Sequence, residues 1–251
     1  MMRSLKKLLY GLLYLSIFGG ILTAVYFIYF NPKPSCEDGI LNQNEEQIDC
    51  GGSCISCEIK DFELSKGEIN VFEVGKNKTT LVAIISNPNQ NYVASKVRYT
   101  IRIKSVIGGQ LGIVEGETSI YPGEDRYIIE SGLSFDSKDA GKIDFEIMDG
   151  FELLPKETAV DYEILIRQPK IELTENATKA KGVVTNISGR DTTSIKLSAL
   201  IFDKEGKLIN AGSTILNNLG AFKSDDFDIF MPLLDISLED LDVEILWEVL
   251  S

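Results

Sequence analysis

The sequence contains no histidine. That removes the side chain that most often acts as a general base near neutral pH, and with it the commonest metal ligand. Ser-His-Asp and Cys-His pairs are excluded, as is every zinc site built on imidazole. The chain is therefore read as a non-enzyme, with no candidate catalytic residue. Basic charge is also scarce: 25 Lys and Arg stand against 38 Asp and Glu, for a formal net charge of −13. Residues 1–30 carry Arg3, Lys6 and Lys7 and no acid, so residues 31–251 carry −16. A surface that negative repels phosphate backbones, and nucleic acid is not an expected partner. Cysteine is confined to four positions within 22 residues, and a long apolar run occurs only near the N-terminus. No long 3.6-residue periodicity follows that run, which argues against a helical ectodomain.

The apolar run, residues 8–30 (LLYGLLYLSIFGGILTAVYFIYF), has 23 residues without a charge. At 1.5 Å per residue it spans about 34 Å, enough for a bilayer core of roughly 30 Å. Tyr10 lies near its start and Tyr26 and Tyr29 near its end, where amphipathic rings favour the lipid interface. Asn31-Pro32-Lys33-Pro34 then stops a helix, because proline lacks the amide donor and restricts its predecessor. The far end reads VYFIYFNPKPS, bulky where a signal peptidase needs small residues, so an uncleaved signal-anchor is expected. Arg3, Lys6 and Lys7 place the N-terminus in the cytoplasm and everything after Asn31 outside, with Lys33 a small counterweight. The lipid bilayer is thus the partner of residues 8–30.

All four cysteines, Cys36, Cys50, Cys54 and Cys57, fall in the next segment, spaced C-x13-C-x3-C-x2-C. So short a stretch cannot bury a useful core, and outside the cytoplasm the four imply two disulfides, in any of three pairings. Asp38-Gly39 and Cys50-Gly51-Gly52 supply the turns. A compact, rigid spacer is the plain reading. Cys36, Asp38, Gly39, Ile40, Asn42, Glu45, Asp49, Cys50, Gly51, Gly52, Cys54 and Cys57 form C-x-D-G-I-x-N-x-x-E-x-x-x-D-C-G-G-x-C-x-x-C. This resembles a short cysteine-rich module of secreted and surface-anchored proteins, and the resemblance implies an extracytoplasmic location rather than an activity. Asp38-Gly39 with Asn42 and Glu45 also resembles the second half of a calcium loop, though Pro34 and Cys36 occupy the positions of the first two oxygen ligands. Asp38, Asn42, Glu45 and Asp49 are the candidate Ca2+ ligands. A four-cysteine zinc site requires the inverse topology, because thiolates in an oxidising compartment become disulfides first.

After Cys57 the pattern changes to period two. Val97, Tyr99, Ile101 and Ile103 alternate with Arg98, Thr100, Arg102 and Lys104. Ile143, Phe145 and Ile147 alternate with Asp144 and Glu146, and Leu241, Val243, Ile245, Trp247 and Val249 alternate chiefly with acids. Each reads as a half-buried strand. Turn signals at Asn87-Pro88, Gly108-Gly109, Pro122-Gly123, Ser188-Gly189 and Glu205-Gly206 separate them. Residues 79–103 align with residues 180–202, with Asn87 and Asn186 marking the same place 99 residues apart. A period near 100 residues is one immunoglobulin-sized domain. Gly182, Asn186, Ser194, Ile195, Leu197, Ile201, Phe202, Asp203 and Gly206 resemble the motif of the FxLYD family of immunoglobulin-like sandwiches, with Ala199, Ile201 and Phe202 in place of its Phe, Leu and Tyr. The first copy resembles adhesion-type or CARDB-like sandwiches in outline.

The expected fold is mainly β: an N-terminal transmembrane helix (residues 1–30), a disulfide-rich collar (31–58) and two tandem immunoglobulin-like antiparallel β-sandwiches (59–168 and 169–251). Trp247 is expected in the core, and Asp225, Asp226 and Asp228 on a solvated acidic face. Arg98, Thr100, Arg102 and Lys104 form a basic face in an acidic domain, solvated by default. Asn77-Lys78-Thr79, Asn176-Ala177-Thr178 and Asn186-Ile187-Ser188 are glycosylation sequons whose use depends on the source. The expected function is structural or adhesive, holding a protein or envelope-polymer partner near the membrane. The alternative is an ion- or ligand-sensing ectodomain with calcium in the collar.

Overall fold

The computed structural model describes residues 2–30, 35–75, 78–159, 162–234, 238 and 241–250. The Asn31-Pro32-Lys33-Pro34 helix stop and Asn77 of the first sequon lie outside them. The chain divides into two compact units, Met1–Phe62 and Glu63–Ser251.

In the first unit, helix α1 (Met2–Val25) continues as a π-helical turn, Tyr26–Phe30. The stretch Leu5–Ile28 is long and apolar enough to cross a membrane. Its two aliphatic hydroxyls are satisfied within the helix: Ser16 Oγ donates to Leu12 O and Thr23 Oγ1 to Gly19 O, both at 2.8 Å. Neither therefore needs water, as a lipid environment demands. The unit ends in a single helical turn, α2 (Cys57–Lys60), whose N-cap Ser56 accepts the Ile59 amide.

The second unit contains thirteen strands among the described residues. Seven come first: β1 (Ser65–Gly75), β2 (Lys78–Ser86), β3 (Tyr92–Ser105), β4 (Gln110–Ile120), β5 (Asp125–Leu133), β6 (Ala140–Ile147) and β7 (Glu152–Pro155). Six follow: β8 (Ile164–Leu173), β9 (Thr178–Asn186), β10 (Ser194–Phe202), β11 (Leu208–Asn217), β12 (Ser224–Met231) and β13 (Asp242–Leu250). All strand pairs are antiparallel. The first set forms sheets β1-β2-β5 and β4-β3-β6, with β7 added to the start of β3. The second forms β8-β9-β12 and β11-β10-β13, the same order position by position. β8 crosses the boundary drawn at residues 168–169 from the sequence.

Asn87 and Asn186 do the same work in the two halves. Asn87 directly follows β2 and Asn186 is the last residue of β9, the second strand of each set, and both are almost fully buried. Asn87 Nδ2 donates to Tyr92 O and Ile120 O; Asn186 Nδ2 donates to Arg190 O and Leu219 O. In both, the second carbonyl lies 33 residues downstream. The asparagine pins two loops to a strand end, which is why the apolar run stops at this residue in both copies.

The core of the later half lies between its two sheets. Ala180, Val184, Ile195, Leu197, Phe227 and Ile229 are buried there, with Trp247 packed against them. In the earlier half Leu81, Ala83 and Ile85 of β2 and Val97, Tyr99, Ile101 and Ile103 of β3 are buried at period two. Lys66 Nζ donates to Phe145 O, joining its two sheets at β1 and β6. The edge strand β8 is interrupted at Gln168-Pro169, where Gln168 has φ 50° and the register with β9 shifts. A bulge with proline on an edge strand discourages pairing with a further strand.

A second apolar layer joins the two halves. Val82 and Ile129, on the outer face of β1-β2-β5, pack with Leu200, Leu208 and Ala211 from β10 and β11. Phe72, Tyr127, Phe202 and Leu246 flank them. The four sheets are consequently stacked, and β2 and β10 are buried on both faces along much of their length.

Candidate functional site

The collar is built by its cysteines and its acids together. The disulfides are Cys36–Cys54 and Cys50–Cys57, with Cα atoms 5.6 and 4.8 Å apart. No free cysteine remains among the described residues. The longer bridge closes 18 residues of separation, and such a loop is worth about 3 kcal/mol of unfolded-state entropy. Gly51 and Gly52 have φ +81° and +59°, and a Cβ on Gly52 would fall 1.8 Å from Asn44 O. Only glycine fits that turn.

Asp38, Asn42, Glu45 and Asp49 lie in one network, and their carboxylates are engaged by N–H groups. Asp49 Oδ1 accepts the amides of Asp38 and Gly39 at 3.0 Å, and its Oδ2 accepts Gly39 at 3.1 Å. Asp38 Oδ2 accepts Asn42 Nδ2 and the Ser35 amide, while Oδ1 accepts Ile40. These bonds, that of Asn42 first, hold the Asp38 carboxyl below its ordinary range. Glu45 Oε2 accepts the Asn42 amide. Asn42 Oδ1 is buried without a partner among the described residues. Glu45 also approaches the sulfurs of Cys36 and Cys54, but disulfide sulfurs are not the thiolates a zinc site requires. The arrangement ties the loop to itself: each aspartate acts as a staple for backbone amides.

A second site sits between the stacked sheets. A cleft of about 390 Å³ is lined by Tyr99, Thr118, Arg126 and Glu130 of the first half and Lys196, Ser213 and Glu248 of the second, among others. Arg126 is paired with Ile85 on the inward side of β5, where an apolar residue is expected. Its side chain is 9% exposed. Nη2 pairs with Glu124 at 2.7 Å, and Nη1 lies 3.7 Å from Glu248 and donates to Trp247 O at 3.4 Å. Nε is buried with no partner among the described residues. Thr118 Oγ1 donates to Glu248 Oε1 at 2.5 Å. Glu248, opposite Lys196 on the outer face of β13, thus touches both sheets of the first half.

Burial governs ionisation here. The Glu130 carboxyl is raised by desolvation, relieved in part by the Lys196 charge. Glu124 is raised by burial against the opposing pull of Arg126. The Tyr99 phenol is pushed far up by burial and by the charges of Glu130 and Glu248. The cleft therefore presents interleaved donors and acceptors over apolar walls, which suits recognition of a polar group on a partner.

The other residues singled out from the sequence fall as follows. Two cations of the Arg98–Lys104 face are neutralised: Arg102 pairs with Glu146 at 2.5 Å and Lys104 with Asp144 at 2.9 Å. Lys142 and Lys104 hold the Asp144 carboxyl down at about 2. Thr100 is fully buried, its hydroxyl without a partner among the described residues. Asp225, Asp226 and Asp228 are exposed, and Asp228 pairs with Lys179 at 2.8 Å. Sequence reasoning missed Arg126, Glu124, Glu130 and Glu248. The available signal was the polar Arg126 within the apolar strand RYII, next to two strands, LVAII and LSALI, too apolar for a sheet with one wet face. Comparison with known proteins finds no matching family model and no similar curated protein.

Proposed function

We propose that the chain is a non-catalytic, membrane-anchored surface protein whose sandwiches hold a protein or envelope-polymer partner. Residues 8–30 sit in the bilayer with the basic N-terminus in the cytoplasm, and the collar and sandwiches lie outside. One observation carries this reading: an apolar helix of membrane-crossing length is followed by four cysteines paired as Cys36–Cys54 and Cys50–Cys57. Such bridges persist in oxidising compartments. The resemblance of residues 180–206 to FxLYD-type sandwiches supports an envelope module, and the lack of histidine supports a binding role. The inter-sandwich cleft is the contact point of choice, because recognition sites concentrate where domains meet.

The test has two arms. Membrane-extracted protein is alkylated with and without reduction, and all four cysteines should label only after reduction. Photo-crosslinking side chains are then placed in intact cells at Lys196 and Ser213 in the cleft, and at Glu172 on an outer strand. A discrete crosslinked species from the cleft positions alone supports the reading. Free labelling of the cysteines, or crosslinks independent of position, overturns it. A calcium-sensing collar is the competing reading, with the unpartnered Asn42 Oδ1 in its favour.

A further inference from the structure

We infer that Asn176 carries an N-linked glycan. The inference rests on the extracytoplasmic placement proposed above. Of the two sequons within the described residues, the fold uses one asparagine and leaves the other open. Asn186 is fully buried, and both hydrogens of its Nδ2, the atom a glycan requires, are donated to Arg190 O and Leu219 O. The Ser188 amide and hydroxyl both donate to Asn186 Oδ1, at 3.0 and 2.5 Å. The hydroxyl two residues on is thus part of the loop staple. Asn87, at the equivalent position, plays the same part in Asn87-Pro88-Asn89, which is no sequon. The Asn186 motif is accounted for by folding alone.

At the asparagine amide itself, the group that carries a glycan, Asn176 is the reverse case. It is exposed in the turn between β8 and β9, a turn closed by Thr174 and Ala177 without it. Its amide has no hydrogen bond among the described residues. Thr178, which completes the sequon, is buried, and its Oγ1 accepts the Leu234 amide at 2.9 Å. The turn lies at the opposite end of β9 from Asn186, eight residues or about 26 Å along the strand. A glycan there projects from the hairpin tip and obstructs no strand pairing. In the transfer, the Asn176 amide nitrogen bonds to the anomeric carbon of a polyprenyl-diphosphate-linked oligosaccharide. The carbon–oxygen bond to the diphosphate breaks, the amide loses one proton, and the lipid diphosphate leaves.

The test is intact mass of the full chain purified from membranes of its own source, with cysteine alkylation run in parallel. In an Asn77→Gln background, which removes the sequon whose asparagine lies outside the described residues, the protein should exceed its sequence mass by a glycan, and adding Asn176→Gln should lose all of that excess. Thr178→Ser, which keeps the sequon and an acceptor oxygen for Leu234, should retain it. Excess mass that survives Asn176→Gln overturns the assignment of the residue. No excess in a protein whose cysteines are oxidised overturns the glycan and leaves the topology standing. No excess together with four free thiols overturns both.

Discussion

If the sheets are stacked, Leu200→Ala is costly although it lies on the outer face of its own sandwich. Leu200 is fully buried against Val82 and Ile129 of the other half, whereas Ile215, on the same sheet, is 53% exposed. Truncating a buried leucine loses the transfer energy of the removed methylenes and leaves a cavity, together about 2–5 kcal/mol. Were the sandwiches independent, Leu200 would be a surface residue and the change would fall within about 0.5 kcal/mol. For a unit of this size 1 kcal/mol moves the melting point by about 2–4 °C. A mid-range loss of about 3 kcal/mol therefore lowers Tm by roughly 6–12 °C. The assay is circular dichroism melting of the full chain in detergent with its disulfides intact, with Ile215→Ala as control. Val82→Ala, on the opposite side of the contact, should shift the same single transition. A Leu200→Ala shift no larger than that of Ile215→Ala, or two transitions of which Leu200→Ala moves one and Val82→Ala the other, would refute the stacking argument.

Three other outcomes follow from the same geometry. Replacing Cys36 and Cys54 together by serine should cost the collar about 3 kcal/mol and open residues 36–57 to limited proteolysis. The melting of the sandwiches, which belong to the other compact unit, should stay put. Because the Asp38, Asp49 and Glu45 carboxylates are engaged by N–H groups, about 5 mM Ca2+ should leave Tm unchanged within about 1 °C, even for a weak extracellular-type site. A clear rise restores the calcium reading. Glu130 is raised in the folded state, so the native protein holds that proton more tightly than the unfolded chain. Its contribution to stability falls as pH climbs from the ordinary glutamate range through the raised value. Glu130→Gln should therefore raise stability at pH 7–8, with the gain disappearing below about pH 4; urea denaturation at both pH values measures it.

The readable part of this fold is the part that each strand decides alone. β3 buries Val97, Tyr99, Ile101 and Ile103 and turns Arg98, Arg102 and Lys104 outward because a strand has period two and this sheet has one wet face. Asn87 and Asn186 were aligned by sequence, and the structure gives them the same bonds. What resisted reading depends on distant partners. The cysteine pairing is set by the Asp49 and Gly52 turns that bring Cys54 back to Cys36, and spacing alone leaves three choices. The basic residues Arg102 and Lys104 of β3 read as solvated because the acids that pair with them, Glu146 and Asp144, stand 44 and 40 residues away. Arg126 shows the hardest case. Alternation places it inside the first sandwich, and the buried cation is compensated by Glu124 two residues before it and by Glu248, 122 positions later, the second of which no local pattern reveals.

That last contact also bears on what the sandwiches can do. A tandem pair joined by a linker presents two independent surfaces, and a partner bridging them bears the entropy of fixing their orientation. Here the orientation is already fixed by Val82, Ile129, Leu200 and Ala211, and Glu248 holds the open side through Thr118 and Arg126. A partner seated in the cleft meets side chains from both halves that are pre-arranged before it arrives. The residues that keep the cleft polar are also among those that join the halves. Glu248→Ala should therefore weaken partner binding and destabilise the stack together, whereas Lys196→Ala, in no ion pair among those described and acting on Glu130 only at a distance, should weaken binding with a Tm loss clearly smaller than that of Glu248→Ala. Separation of the two effects in that order, read by crosslinking yield against melting, distinguishes a cleft that recognises a partner from one that merely glues two sandwiches.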